Sequence, residues 1–170
     1  VENSVDDAYD AGIVVVAAAG NDGENDDGDV ASPGSVSTVI CVGGVDSQGN
    51  LWSGSSIGDN NGRIWPLLLP RNDPDRKPEI VAPGHEVPVI MTGDGWGISS
   101  GTSASTVYVT GAVALMFENN PNLMNGGTDM VDDLKEWIAT SSKMKNGQDS
   151  HDNHYGYGLL QIGALIDAAG

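Results

Sequence analysis

Ile13 to Ala19 is an unbroken apolar run rich in β-branched residues, and Gly20-Asn21-Asp22-Gly23 ends it abruptly. A run of strand length with no polar face has to be covered on both sides, which places it inside a parallel sheet flanked by helices. Thr38 to Val45 repeats the pattern, and Glu79 to Ala82 is a third, shorter run stopped by Pro83-Gly84. The segments around them have helical spacing. Val1, Val5, Ala8 and Tyr9 fall on one face of a helix over residues 1 to 11, with Gly12 as its stop and no convincing cap at its start. Thr106 to Phe117 has the apolar spacing of a buried helix ended by Asn119-Asn120-Pro121. Thr128 is placed to cap a helix from Asp129 to Thr140, and Ile162 to Ala169 forms a last short one after Tyr155 to Leu160. Strands alternating with helices predict one α/β domain over residues 1–170, with a mainly parallel sheet covered on both faces.

The connections carry their own signals. Ser32-Pro33-Gly34-Ser35 and Asp46 to Asn50 are turns, and Leu51 to Gly58 is polar and Ser-rich. Asp59 to Pro78 mixes Pro, Arg and Asp into a long surface loop, with Leu67 to Leu69 expected to tuck beneath it. Val87 to Met91 and Gly95 to Ser99, joined by Thr92-Gly93-Asp94, form a hairpin that delivers the chain to Gly101-Thr102-Ser103-Ala104-Ser105.

Composition excludes several partners. Asp and Glu total 24 against 7 Lys and Arg, a net charge of −17, so nucleic acid backbones are repelled. The acids are scattered and mostly Asp, which suits a heavily hydrated surface of the kind salt-loving organisms use, or cation binding. The one cysteine, Cys41, lies in an apolar run and behaves as a buried hydrophobe, so there is no disulfide framework. No run approaches the 18 or so apolar residues that span a bilayer, and the first residues lack the positive start and apolar stretch of a signal peptide.

Ser103 is the residue placed for chemistry. At a helix start its hydroxyl lies outside the helix, above the positive end of the backbone dipoles. Ser and Thr are also the ordinary capping residues of any helix, so the string alone decides nothing. Its companions do. VVVAAAGNDG at 14–23, EIVAPG at 79–84, GTSAS at 101–105 with a Gly-punctuated helix behind it, and the closing YGYGLLQ occur in one order. Together they resemble the C-terminal half of a subtilisin-like serine protease, over nearly all 170 residues. The resemblance implies a three-layer αβα subtilisin-like fold, of which this is the C-terminal half, and a serine endopeptidase working through an acyl-enzyme. It makes Ser103 the nucleophile and Asn21 the amide that stabilises the oxyanion, with Ala18, Ala19, Gly20, Gly101 and Thr102 around the peptide substrate. Asn21 also reads as a turn residue tolerating left-handed geometry between glycines. Ala104 stands where the family commonly has methionine, and Val107-Tyr108 where it has Pro-His.

A serine hydroxyl needs a histidine to take its proton and a carboxylate to hold that histidine. In the family these lie in the N-terminal half, in Asp-Thr/Ser-Gly and His-Gly-Thr-His contexts, and neither string occurs here. His85, His151 and His154 read as surface or structural residues. The polypeptide alone is therefore expected to be inactive, and to pair with its missing N-terminal half or self-associate through the open edge of the first strand. No cofactor is required for the chemistry. Ca²⁺ as a structural ion has two candidate places: the acidic loop of Asp22, Glu24, Asp26, Asp27 and Asp29, whose spacing is not that of an EF-hand, and the carbonyls of Gly34, Val36 and Val39, which match a weak cation site seen in relatives. Family habit places such an enzyme outside the cell. The competing readings are an inactive subtilisin-fold binding or structural module and an acidic Ca²⁺-binding module in which Ser103 is only a cap.

Overall fold

The computed structural model describes residues 1–24, 29–58 and 71–170. Three parallel strands, β1 (Val16–Ala18), β2 (Ile40–Val45) and β3 (Ile80–Pro83), lie in the order β1-β2-β3, with Val16 opposite Ile40 and Val42 opposite Ile80. All six residues of β2 are buried, as expected of a strand covered on both faces. β1 is shorter than its apolar run. Its ladder opens where the Ile40 N–H donates to the Val15 carbonyl at 2.9 Å, and Ile13 is 57% exposed. β2 starts late because the Val39 N–H closes a turn onto the Val36 carbonyl. β4 (Val87–Met91) and β5 (Gly95–Ser99) form the expected antiparallel hairpin, Val87 opposite Ser99 and Met91 opposite Gly95.

The helices are α1 (Glu2–Asp10), α2 (Thr102–Asn119), α3 (Gly127–Ser141) and α4 (Ile162–Ala168), with a short 3₁₀ turn at Pro121–Asn125. Thr128 is not a cap. Helix α3 begins one residue before it, with Gly126 at the cap position and no side-chain bond there. Gly126 is required by packing instead, since a Cβ on it would lie 2.5 Å from the Met130 Cβ. The main core lies on one face of the sheet, where Ile40, Val42, Ile80 and Ala82 meet Val109, Val113 and Met116 of α2, Leu134 and Ile138 of α3, and Leu165 of α4. On the other face Val5 of α1 packs with Ala17 and Val39. The result is an αβα arrangement with a parallel central sheet.

Cys41 is fully buried, and burial pushes its thiol well above the usual range. His151 is buried as well, its Nε2 bonded to the Pro78 carbonyl at 2.8 Å and its ring edge-on to Tyr157. Leu67 to Leu69, and Asp26 and Asp27 of the acidic loop, lie outside the described residues. No helix among the described residues is long and apolar enough to cross a membrane.

Candidate active site

The parallel strands leave their C-terminal ends pointing the same way, and two chain reversals meet there. The first follows β1. Gly20 has φ 118, a left-handed value that favours glycine, and a Cβ on it would meet the Ser56 hydroxyl at 2.7 Å. The turn brings Asn21 to the surface. The second is the entry to α2, held by the Gly101 N–H donating to the Gly84 carbonyl at 2.7 Å. Gly84 in turn donates to the Val45 carbonyl at 2.8 Å. Glycine at 44 and 84 lets the helix start sit directly on the strand ends: a Cβ on Gly84 would lie 2.2 Å from the Ser105 Oγ, and one on Gly44 would touch Ser105, Trp52 and Thr102.

Thr102, fully buried, ties the two reversals together. Its backbone N–H donates to Asn21 Oδ1 at 2.9 Å. Its hydroxyl accepts from the Gly20 N–H at 3.2 Å and stands 3.0 Å from Asn21 Oδ1 and 3.1 Å from the Gly20 carbonyl, the two acceptors for its proton. With Oδ1 so engaged, the carboxamide of Asn21 is held against the helix start. Among the described residues Nδ2 donates to nothing. It lies 3.6 Å from the point where a Cβ would stand on Gly101, and Asn21 Oδ1 and the Ser103 N–H nitrogen each lie 3.8 Å from that same point. Two N–H donors therefore border one small space beside an exposed serine, at the positive end of an 18-residue helix. That arrangement can hold an oxygen on which negative charge develops.

The serine itself has no base among the described residues. His85 Nδ1 is 3.1 Å from the Ser100 hydroxyl and its ring stacks on Trp52 with 6.1 Å between centroids. His151 is committed to Pro78, and His154 lies 3.4 Å from Asp152. Of the proposed pocket wall, Ala18 and Gly20 are partly exposed while Ala19 is fully buried, its N–H donating to the Val42 carbonyl at 2.9 Å. Ala19 thus supports the wall from behind. Gly101 is buried under the elbow.

Two features had no signal in the sequence. Trp52, in a polar Ser-rich stretch, folds its indole across Gly54, where a Cβ would come within 2.4 Å of the ring. Ser105, one turn into α2, buries a hydroxyl that finds no hydrogen-bond partner among the described residues. Among the described residues no three His, Cys, Asp or Glu side chains gather where they could hold a metal ion.

Comparison with known proteins bears on the family and the fold. Residues 1–158 match the profile of Peptidase_S8, the subtilase family. The chain is 33% identical over 165 residues to Subtilisin DY of Bacillus licheniformis, covering 96% of this chain and 50% of that protein. It is 31% identical over 162 residues to Subtilisin NAT of Bacillus subtilis subsp. natto, covering 94% of this chain and 35% of that one. The solved structure of the prenylagaramide maturation protease PagA superposes with a TM-score of 0.74 at 26% identity, over 99% of this chain and 55% of its own. The chain spans about half the length of Subtilisin DY and less of Subtilisin NAT. The family match over residues 1–158 and the identity to Subtilisin DY place the chain in the subtilase family of serine proteases.

Proposed function

We propose that this chain supplies the nucleophile and the oxyanion site of a serine endopeptidase. Ser103 Oγ attacks the carbonyl carbon of a peptide bond, the carbonyl oxygen becomes negative, and Asn21 Nδ2 with the Ser103 N–H receives it. Collapse of that intermediate expels the amine and leaves an ester on Ser103, which water hydrolyses. The observation that carries the reading is the pinning of Asn21 Oδ1 by Thr102 at 2.9 Å, with the Nδ2 donor unpaired among the described residues. A turn residue of no further use would not need that bond.

The acid and base of the reaction come from outside this chain, in the N-terminal half of the domain. Two surfaces would receive that half. β1 pairs on one side only among the described residues, and α2, apolar nearly all round, exposes Val107 and Leu115 along a groove of about 530 Å³ that Val89, Tyr108 and Ile162 also line. The enzyme acts on peptides outside the cell. In a polypeptide that carries both halves, a chromogenic peptide should be cleaved, Ser103→Ala should abolish cleavage, and Asn21→Ala should lower kcat by roughly 10²–10³, the loss known for subtilisin itself, with KM little changed. Full turnover by the Asn21→Ala protein would remove the asparagine from the mechanism. Absence of cleavage with both halves folded would favour the second reading, a binding module of the same fold, for which the exposed Val107-Tyr108 pair speaks.

A further inference from the structure

The turn from Gly34 to Val39 connects the region behind the pocket wall to β2. The Ala31 N–H donates to the Ala19 carbonyl at 2.7 Å, and a Cβ on Gly34 would press on the Ala18 carbonyl at 2.8 Å, so this turn backs Ala18 to Gly20 directly. Its alternate carbonyls meet three cationic side chains that come from distant parts of the chain. Arg71 donates to the Ser35 carbonyl and Lys135 to the Ser37 carbonyl, while Lys77 Nζ donates to the Val39 carbonyl at 2.5 Å. The chain has only 7 Lys and Arg in a net charge of −17, and three of them converge here.

Glu79 stands at the centre. Its Oε1 lies 2.5 Å from Lys77 Nζ and 3.3 Å from Lys135 Nζ, and its Oε2 accepts the Cys41 N–H at 2.8 Å. Lys135 reaches Asp75 Oδ1 at 2.6 Å as well, so its three ammonium protons face three acceptors: Ser37 O, Asp75 and Glu79. The side chains of Lys77, Lys135 and Glu79 are 2% exposed or less.

Backbone carbonyls around a carboxylate are the ligand set of a hard cation. The weak cation site that the family resemblance implies at Gly34, Val36 and Val39 does not fit a metal here. The Val39 carbonyl is taken by an ammonium, the Val36 carbonyl by the Val39 N–H, and any added ion would face Lys77, Lys135 and Arg71 at close range. We propose that this turn is a cation site filled by the protein's own ammonium groups, with Lys77 and Lys135 in the role of the ion, so that Ala18 to Gly20, the pocket wall on the function proposed above, are held without a metal. Removing the Lys77 ammonium would turn the site back into one that takes a monovalent cation.

The test is thermal unfolding of the 170-residue chain at constant ionic strength, with K⁺ replaced by tetramethylammonium, a cation too large for the turn. The unaltered protein should melt at the same temperature in both. Lys77→Met should melt on the order of 10 °C lower in tetramethylammonium and recover several degrees in K⁺. Lys77→Met combined with Glu79→Gln should lose that recovery. A K⁺-dependent rise in the unaltered protein equal to that of Lys77→Met, or no recovery in Lys77→Met, would overturn the proposal. Should Lys77→Met not fold, ¹⁵N spectra of the lysine ammonium groups in the unaltered protein decide: two slowly exchanging signals, lost in neither K⁺ nor Ca²⁺, are expected, and four fast-exchanging ones would contradict it.

Discussion

The approach of α2 to the strand ends depends on Gly84, and Gly84→Ala measures how tightly. The backbone φ of Gly84 is not left-handed, so alanine is allowed there, and by chain entropy alone the change would stabilise the fold by about 0.4–1 kcal/mol. Sterics reverse the sign. The new methyl would lie 2.2 Å from the Ser105 Oγ, 3.0 Å from the Gly44 Cα and 3.2 Å from the Gly101 carbonyl oxygen. Ser105 is fully buried, so its hydroxyl can turn away only by displacing its neighbours, and the two backbone atoms can only move with their strand and helix. That places the net cost at about 1–2 kcal/mol, the lower part of the overpacking range. Ser105→Ala alone has the opposite effect, because it removes a buried hydroxyl that has no partner among the described residues, and should stabilise by about 1 kcal/mol. The double variant should then fall short of the sum of the singles, with about 1 kcal/mol of coupling, since the methyl meets the backbone but no longer the hydroxyl. Urea unfolding of the four proteins reads these values. Additivity within about 0.3 kcal/mol, or a destabilising Ser105→Ala, would show that the hydroxyl does not lie against Gly84 and would refute the packing described for the elbow.

Two other predictions concern buried titratable groups. Burial holds the His151 imidazole below its ordinary pKa of 6.5, against the opposing Pro78 carbonyl. The folded chain therefore takes this proton less readily than the unfolded one: the stability it contributes is whole above pH 6.5 and is lost as the pH falls through the folded value. His151→Gln, which can still donate to Pro78, should flatten the loss of urea stability below pH 6.5, and an unchanged slope would count against it. Cys41, fully buried with its thiol pushed up by desolvation, should react with a disulfide reagent only at the rate of global unfolding, and rapid modification of the native chain would contradict the packing of β2.

Much of this fold is legible in the sequence because its signals are local. The hairpin of β4 and β5 follows from two short runs joined by the turn residues Thr92-Gly93-Asp94, and it forms over the residues those runs mark. β2 and β3 follow from apolar stretches bounded by turn residues, with boundaries displaced by one or two positions where the backbone has another partner, as Val39 has in Val36. Pairings made across the chain leave no such trace. Thr102 meets Asn21 across 81 residues and Lys135 meets Ser37 across 98, and neither the threonine of a helix start nor the lysine of an amphipathic helix is unusual in its own neighbourhood. Glu79 shows the same limit: in sequence it is the polar first residue of a strand, and in the structure it is the carboxylate between two buried ammonium groups. The family resemblance implies roles for Ser103 and Asn21, but the bond that holds Asn21 to Thr102 belongs to the fold.

The measurement that bears most directly on the account is covalent labelling by a fluorophosphonate, which reacts with an activated serine and places its phosphoryl oxygen where an oxyanion would sit. It should be applied to the 170-residue chain and to a polypeptide that also carries the N-terminal half, each with its Ser103→Ala counterpart. The account predicts labelling of the longer form alone, lost in Ser103→Ala and slowed in Asn21→Ala. No labelling of either form, with both shown to be folded, would contradict it and leave a subtilase-shaped binding module.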